Sequence, residues 1–172
     1  MEKQTAIIAA IVEHKPGVLY RVANMFRCRG FNIESISVGP TENKGLARMT
    51  ITFKAEERTI DQVIKQLNKL TDVIEVTRLN PENAVIREMA LVKVYTPGAK
   101  SDAINYANVF RARVVDVSAE SIMVEITGDS DKIDAFINLM KPFGVKEIAR
   151  TGITALMRGA KAIDIESHKG EM

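Results

Sequence analysis

The sequence is poor in the residues that build disulfides, metal sites and base-stacking surfaces. Its 172 residues include one cysteine, two histidines and no tryptophan, and aromatic residues make up only 5%. Because Cys28 stands alone, an internal disulfide is impossible, and a reducing cytoplasm is the expected compartment. His14 and His168 lie far apart and neither has a cysteine nearby, so we expect no metal site.

Long apolar runs and a strong charge of one sign are also missing. The longest uninterrupted apolar run, Ala6 to Val12, is far shorter than the roughly 18 to 20 residues that cross a bilayer, so we expect no membrane span. Lys and Arg (24) nearly balance Asp and Glu (22), which leaves a net charge of +2. With neither a basic excess nor a supply of stacking aromatics, we expect no nucleic-acid partner.

The signature motifs of several enzyme classes are absent as well. The chain has no G-x-G-x-x-G, no G-x-x-x-x-G-K-[ST] and no G-x-S-x-G, which are typical of dinucleotide, nucleoside triphosphate and hydrolase sites. Arg29-Gly30-Phe31 is similar to the start of an RNA-recognition motif, but Asn32 stands where that motif needs Gly or Ala. The residues offer no candidate catalytic group.

The chain does contain a repeated alternation of two hydrophobic periods. Four segments have apolar residues at the helical spacing i, i+3, i+4, i+7, and they start at Leu19, Ile60, Ala103 and Ile133. Between them lie short segments rich in Val and Ile, which predict strands. The predicted strands are residues 5–13, 31–38, 48–54, 73–79, 89–95, 114–117, 122–127 and 145–156.

This order predicts the fold class. Strand, helix, strand, strand, helix, strand occurs twice, which is typical of an α+β protein with two tandem ferredoxin-like βαββαβ domains. The turn-forming segment around Pro81 separates the copies, so we predict domains at 4–79 and 84–159, followed by a frayed tail at 160–172. A change of hydrophobic phase between Ile33 and Ile36 predicts a β-bulge or a kink near Glu34 and Ser35.

The loop between the first strand and the first helix carries the strongest local signal for binding. Pro16 is expected in the first helical turn, where its missing N–H costs nothing. Gly17 in that turn lowers helix propensity, but leaves room for a small carboxylate to approach the unpaired N–H groups. Asn32 offers a donor and an acceptor for the same ligand. A plain strand-to-helix turn is the alternative interpretation.

The same residues support a resemblance to a known family. Lys15 to Leu19 (KPGVL) and Arg29 to Ile36 (RGFNIESI) are similar to an ACT domain, the ferredoxin-like module that binds small regulatory ligands, usually amino acids. With Arg48 to Ile51 (RMTI), Arg87 to Val94 (REMALVKV) and Phe110 to Val117 (FRARVVDV), they resemble the regulatory (small) subunit of acetolactate synthase. The resemblance covers roughly residues 4 to 158.

The resemblance implies a chain that is not an enzyme by itself and binds no cofactor. In this family the catalytic large subunit holds thiamine diphosphate, Mg²⁺ and FAD. The small subunit activates it and confers feedback inhibition by valine or another branched-chain amino acid, leucine or isoleucine. The implied partners are this catalytic subunit, a second copy of the chain paired through the ACT domain, and the amino acid. The alternative is a stand-alone ACT-type module that regulates a different enzyme or a transcription factor.

The resemblance also implies which residues contact the effector. In the family, two ACT domains pair side by side, and the effector sites form at their interface. Carried over by motif position, the effector-binding residues are His14, Lys15, Pro16, Gly17, Val18, Asn32 and Ile33. Many relatives have Asn at the position of His14, and an imidazole accepts from an ammonium only when it is neutral.

The second half resembles a regulator-like ferredoxin fold that also occurs in nickel-responsive repressors. The His and Cys residues that would ligate nickel are missing from residues 84–159 of this sequence. Nickel binding is therefore not carried over with the fold.

Overall fold

Helices and strands follow the predicted order twice along the chain. The computed structural model describes residues 3–160 and 162–163, and it divides into two units. The first unit contains the chain up to Val85 together with the segment that begins at Ile153, and the second is Ile86–Gly152. The predicted α+β class with two ferredoxin-like repeats is confirmed.

The first unit is built on a four-stranded antiparallel sheet with two helices on one face. Its elements are β1 (Gln4–Glu13), α1 (Val18–Cys28), β2 (Ile33–Pro40), β3 (Leu46–Ala55), α2 (Glu57–Leu67) and β4 (Val73–Leu79). The strand order is β2-β3-β1-β4, so β1 is central and β2 forms an edge. The register between β2 and β3 shifts between Ile33 and Ser35, which confirms the predicted bulge.

The helices are held by most of the apolar stripes that the sequence shows, but Leu19, the predicted start of the first stripe, is exposed and Val18 is buried instead. Alternate residues of β1, from Ala6 to Val12, face the helices and join the core. Phe26 of α1 packs against Phe53 of β3, with ring centroids 5.2 Å apart in an edge-on arrangement. The stripes of α1 and α2 complete this core with Val18, Val22, Ile60, Val63 and Leu67.

The second unit repeats the arrangement with shorter loops. Its elements are β5 (Ala84–Tyr95), α3 (Lys100–Val109), β6 (Arg113–Val117), β7 (Ser121–Gly128), α4 (Ser130–Met140) and β8 (Val145–Arg150), in the sheet order β6-β7-β5-β8. Glu88 is buried and accepts two hydrogen bonds of 2.7 Å from the Arg150 guanidinium, which also donates to Asp134. This fork joins β5, β8 and α4.

The last predicted strand, 145–156, is two strands in the structure. β8 ends at Arg150, Gly152 has a φ of +76°, and β9 (Thr154–Met157) belongs to the first unit. The second unit thus ends before the predicted domain boundary at 159. Most of the predicted tail, 160–172, lies outside the described residues.

Hydrogen bonds explain why this segment groups with the first unit. It lies on the face of the first sheet that is opposite the helices. There Ser37 Oγ donates to the Ile153 carbonyl over 2.8 Å, and Arg48 Nη2 donates to the Ala155 carbonyl over 2.9 Å. The Arg158 N–H donates to the Asn83 carbonyl over 2.8 Å. The segment therefore helps to cover a sheet face that would otherwise meet solvent.

Candidate functional site

The candidate site is the loop that joins β1 to α1. The helix begins at Val18, so Pro16 precedes it and the expectation that Pro16 lies in the first helical turn is wrong. Gly17 is the N-cap residue and has a φ of +89° and a ψ of −15°. Glycine adopts this left-handed backbone without the steric cost that other residues meet. The helix therefore starts two residues later than predicted because Gly17 makes the turn.

The start of α1 presents open backbone donors. Gly17 has no side chain, and no other side chain in the described part of the chain caps this helix end. An ideal Cβ on Gly17 would lie 3.5 Å from Nη1 of Arg21, so the guanidinium lies beside this helix start. Free N–H groups, the positive end of the helix dipole and a nearby cation all favour a small anion.

Two neighbouring loops fix the backbone on the approach to this helix. The Glu13 N–H donates to the Asp72 carbonyl over 2.8 Å, and the His14 N–H donates to the Gly45 carbonyl over 2.7 Å. The His14 side chain itself is exposed. The approach to the loop is thus tied to the turn before β4 on one side and to the β2–β3 hairpin on the other.

Asp72 forms ion pairs with two cationic side chains at this end of the sheet. Its side chain is only 7% exposed, and its carboxylate pairs with Lys15 Nζ at 2.8 Å and with Arg21 Nε. The hydrogen bond from Lys15, followed by that from Arg21, holds the pKa of the Asp72 carboxyl below its usual value. Lys15 also pairs with Glu13, and these two carboxylates raise the pKa of its ammonium.

Sequence reasoning missed Asp72 and Arg21, although topology could have suggested Asp72. β4 runs antiparallel to β1, so the residue before β4 must lie beside the end of β1. An acidic residue at that position can form an ion pair with Lys15 of the β1–α1 loop. Arg21 is harder to foresee, because an exposed arginine one turn into a helix has no distinctive pattern.

The predicted effector-binding residues do not all lie together in one chain. His14, Lys15, Pro16 and Gly17 are exposed in the loop, whereas the Val18 side chain is buried in the core and leaves only its backbone N–H near the loop. Asn32 is exposed just before β2, and the side chain of Ile33 packs against the core.

The sheet register shows how far apart the two groups are. Ile33 pairs with Phe53, which pairs with Ala6 near the start of β1, while the loop follows Glu13 at the other end of that strand. Ala6 and Glu13 are seven positions apart, which corresponds to about 23 Å at about 3.3 Å per residue. One chain alone therefore cannot bring all seven residues around one small ligand.

The described residues contain no group of three or more His, Cys, Asp or Glu side chains placed to hold a metal ion. None of the helices in the described part of the chain is long and apolar enough to span a membrane.

Comparisons with known proteins agree along nearly the whole chain. A family model described as the small subunit of acetolactate synthase matches residues 87–159, and a model of the AHAS small subunit-like ACT domain matches residues 8–75. A probable acetolactate synthase small subunit from Methanothermobacter thermautotrophicus is 54% identical over 165 residues, which cover 95% of this chain and 98% of the relative. The chain belongs to the family of acetolactate synthase small subunits.

Other members of the small-subunit family support the same assignment. A probable acetolactate synthase small subunit from Archaeoglobus fulgidus is 52% identical over 90% of this chain and 97% of its own length. The crystal structure of the acetolactate synthase small subunit from Thermotoga maritima matches with a TM-score of 0.87 and 45% identity, covering 92% of this chain and 99% of that one. The resemblance stated from the sequence is confirmed, and membership in this family implies a regulatory role.

The ion pairs of Asp72 predict an acid-dependent contribution to stability. We expect Asp72→Asn to lower the free energy of unfolding at neutral pH, because Lys15 and Arg21 lose their shared carboxylate. The native pKa of Asp72 lies below the ordinary 3.8, so this contribution is complete above the ordinary pKa and is lost as the pH falls through the native one. Urea unfolding from neutral to acid pH should show the difference from wild type shrinking.

The exposed Asp116 provides the control for this series. Asp116→Asn removes a carboxylate that forms no ion pair within the described residues and should leave the urea midpoint nearly unchanged at every pH. A destabilisation by Asp72→Asn that stays constant through the acid range would contradict an electrostatic role for Asp72.

Proposed function

We propose that this chain binds the catalytic large subunit of acetolactate synthase, raises its activity and makes it sensitive to a branched-chain amino acid, with valine as the first candidate. Thiamine diphosphate, Mg²⁺ and FAD belong to that partner, and this chain contributes no catalytic group. The observation that carries the proposal is the 45–54% identity to acetolactate synthase small subunits across both units.

The chemistry of the β1–α1 loop supports an amino acid as the effector. The uncapped start of α1 offers N–H donors to a carboxylate, and Gly17 leaves the approach free of a side chain. The neighbouring cations, Lys15 and Arg21, are already engaged by Asp72, so the loop has no strong excess of positive charge. A zwitterion, which brings one charge of each sign, suits this balance better than a multiply charged anion.

The distance between the loop and Asn32 supports a site shared by two copies of the chain. β2 is one of the two edge strands of its sheet, and its exposed side chains include Val38. If two copies pair antiparallel through β2, the start of one β2 lies beside the end of the other. The end of β2 at Pro40 is at the same end of the sheet as the loop, because Ala47 pairs with both Pro40 and Val12. Such pairing brings Asn32 of one copy towards the loop of the other.

A ligand held between two copies can transmit a signal by favouring one packing of the pair. An effector that binds only one arrangement stabilises it by about 2.7 kcal/mol at about a hundred times its Kd. Allosteric couplings are typically about 1 to 3 kcal/mol. Binding at the shared interface is therefore strong enough to change the activity of an attached catalytic subunit.

Reconstitution tests the proposed function directly. The isolated chain should form no acetolactate from pyruvate, and its addition to the cognate catalytic subunit should raise acetolactate formation and make it inhibitable by valine, leucine or isoleucine. Acetolactate formation by the chain alone would contradict the proposal. So would amino-acid binding without any effect on the catalytic subunit, which would favour a stand-alone module for another enzyme.

Gly17→Asp should abolish the response to the amino acid in the reconstituted enzyme while activation is retained. The substitution places a bulky, negatively charged side chain at the start of α1, where we propose that the carboxylate of the ligand binds. Gly98→Asp is the matched control, since Gly98 also has a positive φ, +77°, and nothing within 4 Å of its position would meet a side chain. Inhibition curves that are the same for both variants would contradict the assignment of the loop.

Complementation between two variants that do not respond to the amino acid tests whether the site is shared. Gly17→Asp and Asn32→Ala should each be unresponsive alone, whereas their mixture should regain part of the response. In a mixed dimer, one of the two sites combines an intact loop with an intact Asn32. Random exchange makes about half of the dimers mixed, so roughly a quarter of all sites are intact. Mixing Gly17→Asp with Gly17→Glu should restore nothing. If neither mixture recovers a response, the shared site is ruled out.

A further inference from the structure

A pocket lies on the opposite face of the first sheet from α1 and α2. It forms between the strands β1 to β3 and the segment around β9, and has a volume of about 360 Å³. Both apolar and polar residues line it. They include Ile11, Pro40, Thr41, Glu42, Leu156 and Met157, with Arg48 projecting from β3. None of these residues belongs to the β1–α1 loop.

Arg48 is the unusual group in this pocket. Its Nη2 donates to the Ala155 carbonyl over 2.9 Å, but its Nε is buried and has no acceptor among the described residues. No carboxylate of the described residues forms a salt bridge with it, although Glu42 lines the same pocket. Burial lowers the pKa of the guanidinium, and the charge of Glu42 offsets this only in part. Arg48 is thus a half-buried cation with an unpaired donor and without a direct carboxylate partner among the described residues, which favours a further anion beside it.

The rest of the lining limits which anion can fit. Ile11, Leu156 and Met157 offer a hydrophobic surface to an aliphatic group. Glu42 disfavours a second negative charge, so a phosphate is a poorer match than a monoanion. The volume is at the lower end of the roughly 300–1,000 Å³ that is usual for small-molecule sites.

We propose that this pocket binds a small aliphatic carboxylate, with the carboxylate on Arg48 and the aliphatic part against Ile11, Leu156 and Met157. The site goes beyond the proposed function, because it shares no residue with the effector-binding set. It lies where the returning segment 153–157 crosses the sheet. A bound carboxylate would therefore contact β3 and this segment together.

Isovalerate and its neutral amide, isovaleramide, test the role of charge with the unmodified full chain. The methyl resonances of Ile11 and Met157 should shift saturably in ¹H–¹³C spectra with isovalerate, and the apparent affinity for isovaleramide should be at least about tenfold weaker, as loss of a charge-assisted contact predicts. The backbone N–H resonance of Val18 reports separately on the β1–α1 loop. Equal affinity for the two compounds, or no saturable shift at Ile11 and Met157, would overturn the proposal.

Variants separate this pocket from the proposed effector site. Arg48→Met should abolish the isovalerate shifts, whereas Arg58→Met, which removes an exposed arginine outside the pocket, should preserve them. Gly17→Asp should also leave isovalerate binding unchanged. The proposal for the pocket can therefore be refuted while the proposal for the effector site holds, and the effector site can be refuted while the pocket holds. Isovalerate binding that survives Arg48→Met would refute the assigned contact.

L-Leucine distinguishes a simple carboxylate from a zwitterion. In the Gly17→Asp background, leucine that binds more tightly than isovalerate and loses this advantage in Glu42→Gln supports an ammonium facing Glu42. Leucine that binds as tightly as isovalerate, or more weakly, supports a natural ligand that has a carboxylate but no amino group. Failure of isovalerate to shift Ile11 and Met157 overturns the proposal whatever leucine does.

Discussion

Burial of β1 on both faces is the constraint on which the first unit depends. Its run from Ala6 to Val12 has no polar position, so alternate side chains on either face must leave water. One set packs under α1 and α2, and the other, which includes Ile7 and Ile11, is equally buried on the opposite face. An antiparallel sheet usually leaves that second face to solvent. Here the chain returns after the second unit, and the segment from Ile153 helps to cover it.

The position of β1 also determines the surroundings of the loop that we propose as the effector site. As the central strand it pairs with β3 and β4 at once, so its end meets the turn that carries Asp72 and the hairpin that carries Gly45. Two backbone hydrogen bonds and the Asp72 ion pairs then hold the loop before α1. The N–H groups of this helix are thereby presented in a fixed direction, as a binding site for a small ligand requires.

The same topology separates Asn32 from the loop. In a βαβ crossover the helix carries the chain back along the strand, so β2 starts at the end of the sheet where β1 started. Residues that a sequence motif groups within twenty positions can thus lie at opposite ends of a sheet. A site that uses both needs a second copy, and the edge position of β2 makes such pairing sterically available.

Much of the architecture could be predicted from the sequence, because the apolar stripes of the helices and the Val- and Ile-rich strands are local patterns. The bulge between Ile33 and Ser35 was also visible as a change of phase. The division of residues 145–156 into two strands was not, since each half contains β-branched residues and Gly152 is the only turn-forming residue between them. Pro16 was assigned to the helix because its fixed φ suits a first turn, but the positive φ of Gly17 delays the start to Val18.

By itself, the sequence determined the two ferredoxin-like repeats, the family and the loop that is the best candidate for effector binding, since all of these depend on residue type and spacing. Tertiary structure alone decided that Asp72 and Arg21 meet beside that loop, that Asn32 lies far from it, and that Arg48 is half-buried under the returning segment. These features join residues 51 or more positions apart or depend on which strand ends adjoin. Such pairings are set by sheet register and burial, which a one-dimensional pattern does not contain.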